Sequence, residues 1–98
     1  MKNNIYKKIK IFADGANYDE MIKLSKISFI KGLTTNPSLM RKNKIKNYEI
    51  FAQKILKKIK KKPISFEVFS DNLDEMKKQA EIINSWGKNV YVKIPVVN

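Results

Sequence analysis

The chain has 98 residues, 43% of them apolar, and a formal net charge of +12; this suits one small folded domain, and no apolar run approaches membrane-spanning length. It contains no cysteine and no histidine, which excludes disulfides, thiolate metal sites and an imidazole base. The first ten residues are basic but no apolar segment follows them, so no secretory leader is read there and a cytoplasmic location is expected.

Residues 8–13 alternate as Lys-Ile-Lys-Ile-Phe-Ala and run into Asp14-Gly15, which predicts a strand entering a turn. Apolar side chains at Tyr18, Met21, Ile22 and Leu24 predict a short helix over 18–26. Residues 29–34 form a second strand, closed by Thr35-Asn36-Pro37, where Pro37 suits the first turn of a helix. Tyr48, Phe51, Ala52, Ile55, Leu56 and Ile59 then fall at i, i+3, i+4, i+7, i+8 and i+11, the single apolar stripe of a helix. Asn47 is a suitable N-cap for it, Glu49 favours its N-terminal dipole, and the lysines at 57, 58 and 60–62 favour its C-terminal end before Pro63. Residues 64–69 predict a third strand. A third helix is expected to start near Asn72, with Glu75 as capping-box partner, to stack Leu73, Met76, Ala80 and Ile83, and to close on Gly87 at its C′ position. Residues 90–94 predict a fourth strand before Pro95. No linker interrupts the series, so 1–98 reads as a single domain. Strands alternating with helices imply parallel strands joined by right-handed crossovers, and two architectures fit: an open doubly wound sheet, or a segment of a barrel.

Strand parity carries the functional signal. Side chains alternate across a strand, so Phe12 and Asp14 oppose Ile9 and Ile11, Ser65 and Glu67 oppose Ile64, Phe66 and Val68, and Tyr91 and Lys93 oppose Val90, Val92 and Ile94. Each of these strands has one aliphatic face and one face ending in an ionisable group. Asp14, Glu67 and Lys93 lie at or near C-terminal strand ends, and Asn36 follows the second strand directly. In parallel α/β folds that end gathers ligands and catalytic groups. Burial of a lysine between valine and isoleucine disfavours the ammonium and favours the free amine, the form that attacks a carbonyl. Singly, each group has a plainer reading: Lys93 as an edge-strand lysine reaching water, Asp14 as a turn former, Glu67 as its ion-pair partner, Asn36 as a helix start. Their convergence on one end of one sheet favours a site.

These motifs resemble a known family. Phe12-Ala13-Asp14-Gly15-Ala16-Asn17 resembles the first strand and turn of the transaldolase and fructose-6-phosphate aldolase family. Gly32-Leu33-Thr34-Thr35-Asn36-Pro37-Ser38-Leu39 is similar to its Thr-Thr-Asn-Pro signature, Ile64-Ser65-Phe66-Glu67-Val68 to its third strand, and Val92-Lys93-Ile94-Pro95-Val96 to its Schiff-base strand. All four stand in family order across residues 8–97. The resemblance implies an α/β fold, the N-terminal (βα)3β4 portion of a TIM (β/α)8 barrel, and class I aldol chemistry in carbohydrate metabolism. Lys93 would form the Schiff base, Asp14 would act as acid/base, Glu67 would hold the catalytic water, and Asn36 with Thr34 would bind the substrate hydroxyls. It implies a sugar-phosphate or related ketose substrate, no cofactor, no metal, and a homo-oligomer in the full-length form. Glu67 favours the transferase branch, which moves a dihydroxyacetone unit between sugar phosphates; the aldolase branch, which releases it, tends to carry Gln there. Gly15 and Val97 depart from the threonines common at those positions and bear on the substrate. Barrels of this kind run to roughly 250 residues, so the economical reading is a truncated chain or gene fragment, inactive alone, lacking the family's phosphate-binding Arg and Ser.

The rival class is a basic module associated with nucleic acid. Twenty of the 21 basic residues are lysine and only Arg41 is arginine, whereas base readout favours arginine forks. The lysines are spread over nearly every polar face. Neither a nucleic-acid nor a membrane partner is expected.

Overall fold

The computed structural model describes residues 9–95. Among these residues four strands, β1 (Ile11–Asp14), β2 (Ile30–Thr35), β3 (Ile64–Glu67) and β4 (Val90–Lys93), are joined by four helices, two of them between β2 and β3. These are α1 (Tyr18–Ser25), α2 (Pro37–Lys42), α3 (Tyr48–Lys58) and α4 (Leu73–Asn84). All strand pairs are parallel and their order in the sheet is β1-β2-β3-β4. Each crossover therefore steps the same way, and right-handed crossovers place every helix on one face. A doubly wound sheet reverses its order at a switch point, and this one does not. The architecture is that of the N-terminal (βα)3β4 portion of a (β/α)8 barrel.

Every helix starts on an asparagine. Asn17, Asn36, Asn47 and Asn72 each have extended backbone, and each Oδ1 accepts from the amide three residues on, at 3.0, 2.9, 2.9 and 3.1 Å. Such caps satisfy amides that have no partner inside the helix. The expected capping box at Asn72 closes through a relay. The Asn72 amide donates to Ser70 Oγ, and Ser70 Oγ–H donates to Glu75 Oε2.

The stripe on α3 forms the centre of the core. Ala52 and Ile55 are fully buried against Leu33, Ile64 and Phe66 of the sheet and Met21 of α1. Asn89, just before β4, clamps the loop behind α3 by donating to the carbonyls of Ile59 and Lys62, both at 2.8 Å.

Some expectations from the sequence are corrected. The helix opened by Pro37 is a separate element, α2, which raises the helix count from three to four; a six-residue helix is too short to show periodicity. Leu73 is 81% exposed rather than stacked, and Met76 and Ile83 carry the buried face of α4. Gly87 is not a left-handed cap: among the described residues no glycine has positive φ. Instead α4 ends at Ser85, whose amide bonds to the carbonyls of Glu81 and Ile82. Of the first predicted strand, Lys8 lies outside the described residues, as does Val97.

A register shift between Ile11 and Phe12 leaves Lys31 of β2 unpaired. This bulge brings Phe12 beside Gly32 and Asp14 beside Thr34. The Phe12 ring occupies the space of a side chain at residue 32, since a Cβ there would lie 2.4 Å from ring carbon Cε2. Glycine is what allows the ring to lie on the sheet.

A candidate active site at the C-terminal ends of the strands

The ladder puts the polar groups in two tiers. In the lower tier Asp14 pairs with Thr34, Thr34 with Ser65, and Ser65 with Tyr91. In the upper tier Glu67 pairs with Lys93, and Asn36 follows the Thr35–Phe66 pair by one residue, which sets it alongside Glu67. Side chains alternate and neighbouring strands lie about 4.8 Å apart, so all these groups share the sheet face opposite the helices. Thr35, Phe66 and Ile64 turn the other way and are buried.

Asp14 and Lys93 are exposed, while Thr34, Asn36 and Glu67 are half-buried. The apolar wall expected around Lys93 is not formed by the described residues, because β4 is an edge strand and its open face has no covering layer. Ser65 and Tyr91, which strand parity put on this face without their being taken as candidate site residues, complete the lower tier. Among the described residues no three acidic side chains gather as a metal site.

The amide of Asn36 is oriented by its cap. Its Oδ1 accepts from Leu39 N at 2.9 Å, which leaves the Nδ2 hydrogens as donors for an acceptor on the open face. Asn36→Asp keeps the cap and removes those donors, whereas Asn36→Ala removes both. The expected outcome is that Ala costs about 1 kcal/mol in urea unfolding and Asp much less. Thr34 Oγ1 is buried with no hydrogen-bond partner among the described residues. The same is true of Thr35 Oγ1 on the covered face, so a lone hydroxyl does not mark a site unless it also faces one.

Glu67 is anchored from behind. Its main-chain oxygen accepts from the Tyr48 hydroxyl at 2.8 Å. Tyr48 packs edge-on against Phe69 at 4.4 Å and near Trp86 and Phe66 at 5.6 and 6.0 Å between ring centres. Burial, and then the nearby Glu67 charge, hold the phenol well above its ordinary range. An acid with a raised folded pKa adds stability below its unfolded value of about 10 and loses it as pH rises further. At pH 8 the wild type should exceed Tyr48→Phe by about 1 kcal/mol in urea unfolding. Between pH 8 and 11 that difference should shrink, and a constant gap would contradict the assignment.

The chain's similarities agree with this geometry. A sequence profile of the family described as Transaldolase/Fructose-6-phosphate aldolase matches residues 11–98. A probable transaldolase of Dehalococcoides mccartyi is 39% identical over 87 residues, which is 89% of this chain and 40% of the relative. Probable transaldolases of a Sulfurihydrogenibium species and of Clostridium perfringens are each 38% identical over 88 residues, 90% of this chain and 40% of theirs. The chain thus spans about 40% of the length of these curated relatives. No helix among the described residues is long and apolar enough to cross a membrane.

Proposed function

Because the chain belongs to the transaldolase/fructose-6-phosphate aldolase family, we propose that it carries the Schiff-base half of a transaldolase-type site, as the N-terminal part, 1–98, of a larger barrel. The observation that carries this reading is the pairing of Glu67 with Lys93 in register across β3 and β4, on the face that also presents Asp14. In this reading the Lys93 amine attacks the ketose carbonyl carbon and gives a carbinolamine. Glu67, through a water, returns the proton that lets hydroxide leave as water, and the iminium forms. Asp14 then removes the proton of the hydroxyl on the far carbon of the scissile bond, the carbon that becomes the departing aldehyde. That carbon–carbon bond breaks, its electron pair flows into the iminium, and an aldose departs. The resulting enamine adds to an acceptor aldehyde, and water releases the new ketose and regenerates Lys93. Asn36 donates to a hydroxyl of the three-carbon unit throughout, with Thr34 beneath it. The iminium supplies the electron sink, so the reaction as written uses no metal or cofactor.

Transfer is preferred to simple aldol cleavage because residue 67 is Glu. An enzyme holding the enamine against water should give product only when an aldose phosphate acceptor is present. In a barrel completed with the remaining part of a relative, fructose 6-phosphate alone should therefore yield little free dihydroxyacetone. Copious release without an acceptor would assign the aldolase reaction instead.

A further inference from the structure

We propose that Gln79 of α4 is a positioning residue for Glu67. It fixes the loop that leaves β3 and, through Phe69 and Tyr48, the strand end that presents the carboxylate. The sheet ladder runs out just past Glu67. The Val68 amide still donates to the Lys93 carbonyl at 3.1 Å, but the next two amides lie beyond the strand, which ends at Glu67. Both converge on one acceptor, Gln79 Oε1, ten and nine residues downstream, at 2.7 Å from Phe69 N and 3.2 Å from Ser70 N. Because both partners are N–H donors, the Gln79 amide is oriented with its oxygen toward the loop.

These contacts close a circuit. Gln79 holds the Phe69 backbone, the Phe69 ring meets Tyr48 edge-on at 4.4 Å between ring centres, and the Tyr48 hydroxyl donates to the Glu67 carbonyl at 2.8 Å. Tyr48, Phe69 and Gln79 line a common cavity of about 200 Å³ with Ile82 and Ile83 of α4. Val68, Phe69, Ser70 and Asp71 also line the open cleft that holds Asn36 and Glu67. The loop is thus a wall of the candidate site, and two of its amides hang on a single side-chain oxygen. Phe69 is 55% exposed, so its own burial does not fix it there. In the proposed steps Glu67 acts through a water on the carbinolamine, and such a relay depends on where its carboxylate is held. Asp14 does not share this support, since β2 separates β1 from β3. Loss of the Gln79 oxygen should therefore slow imine formation and leave bond cleavage alone. This inference rests on the Schiff-base reading of the site.

The test uses the barrel completed with the remaining part of a relative, fructose 6-phosphate and a timed borohydride quench. Gln79→Met keeps a similar shape and removes the acceptor, whereas Gln79→Glu keeps it. Gln79→Met should slow trapping at Lys93 on the order of tenfold, part of the about 100-fold or more that a positioned acid–base group contributes. Its ratio of six-carbon to three-carbon adduct should not exceed that of the wild type, and Gln79→Glu should trap at the wild-type rate. A raised six-carbon share, or equally slow trapping in Gln79→Glu, marks a general loosening of the barrel and overturns the assignment. In the 98-residue chain, hydrogen exchange at Phe69 and Ser70 should quicken in Gln79→Met and not in Gln79→Glu. Unchanged exchange there overturns the anchor whatever the state of the variant barrel. No imine in the wild-type barrel removes the Schiff-base reading and this role with it; an imine formed equally fast in wild type and Gln79→Met removes the role alone.

Discussion

Joined to the remaining part of a full-length relative and incubated with fructose 6-phosphate and borohydride, the chain should acquire one three-carbon unit per barrel, on the peptide that carries Lys93. Reduction of an imine to a secondary amine is permanent, so the adduct survives digestion and can be located. With 20 lysines in the chain, scattered background is certain and selectivity is the criterion. Lys93 is the lysine paired in the ladder with a carboxylate able to pass the protons that carbinolamine dehydration needs. The other described lysines sit on helices, in loops or toward strand starts. Lys93→Arg should abolish the adduct, because a guanidinium stays protonated and does not attack a carbonyl. Asp14→Asn should let the imine form but slow bond cleavage, so a six-carbon adduct accumulates on the same residue. Label found mainly on another lysine, or unchanged in Lys93→Arg, would end the assignment.

The chain by itself should show no measurable transaldolase turnover. Its five candidate groups share one sheet face, but Lys93 and Asp14 are exposed there, and among the described residues β1 and β4 are both edges of the sheet. Holding reactants in a near-attack geometry accounts for about 7–11 kcal/mol of an enzyme's advantage. Exposed side chains on an edge strand cannot supply it, and water reaches the enamine before any acceptor does. The contrast to measure is the rate of the isolated chain against that of the completed barrel, in a coupled assay with fructose 6-phosphate and an aldose phosphate. Turnover by the isolated chain that disappears in Lys93→Ala would refute this expectation.

Much of this molecule was legible in its sequence for identifiable physical reasons. The α3 stripe could be read because six apolar side chains at helical spacing have one sensible use, and all but the half-buried Tyr48 are buried. The pairing of Glu67 with Lys93 could be read because parity alone places both on the face opposite the aliphatic residues. What stayed hidden depended on partners distant in the chain. The Lys31 bulge, which aligns Asp14 with Thr34, depends on how β1 and β2 meet and leaves no local trace. Leu73 fits the apolar spacing of α4, yet lies in its first turn, beyond the reach of the sheet. The wall around Lys93 was inferred from its strand neighbours, but burial there depends on what lies across the open face.

The cap at Asn36 joins two kinds of order that are usually separate. One amide group starts helix α2 through its oxygen and keeps its nitrogen hydrogens as donors. A ligand oxygen that accepts from Nδ2 narrows the side chain to the rotamer that already bonds Leu39 N. Occupancy of the proposed site should therefore register at a backbone amide three residues away, as slower hydrogen–deuterium exchange at Leu39, with no movement of the fold.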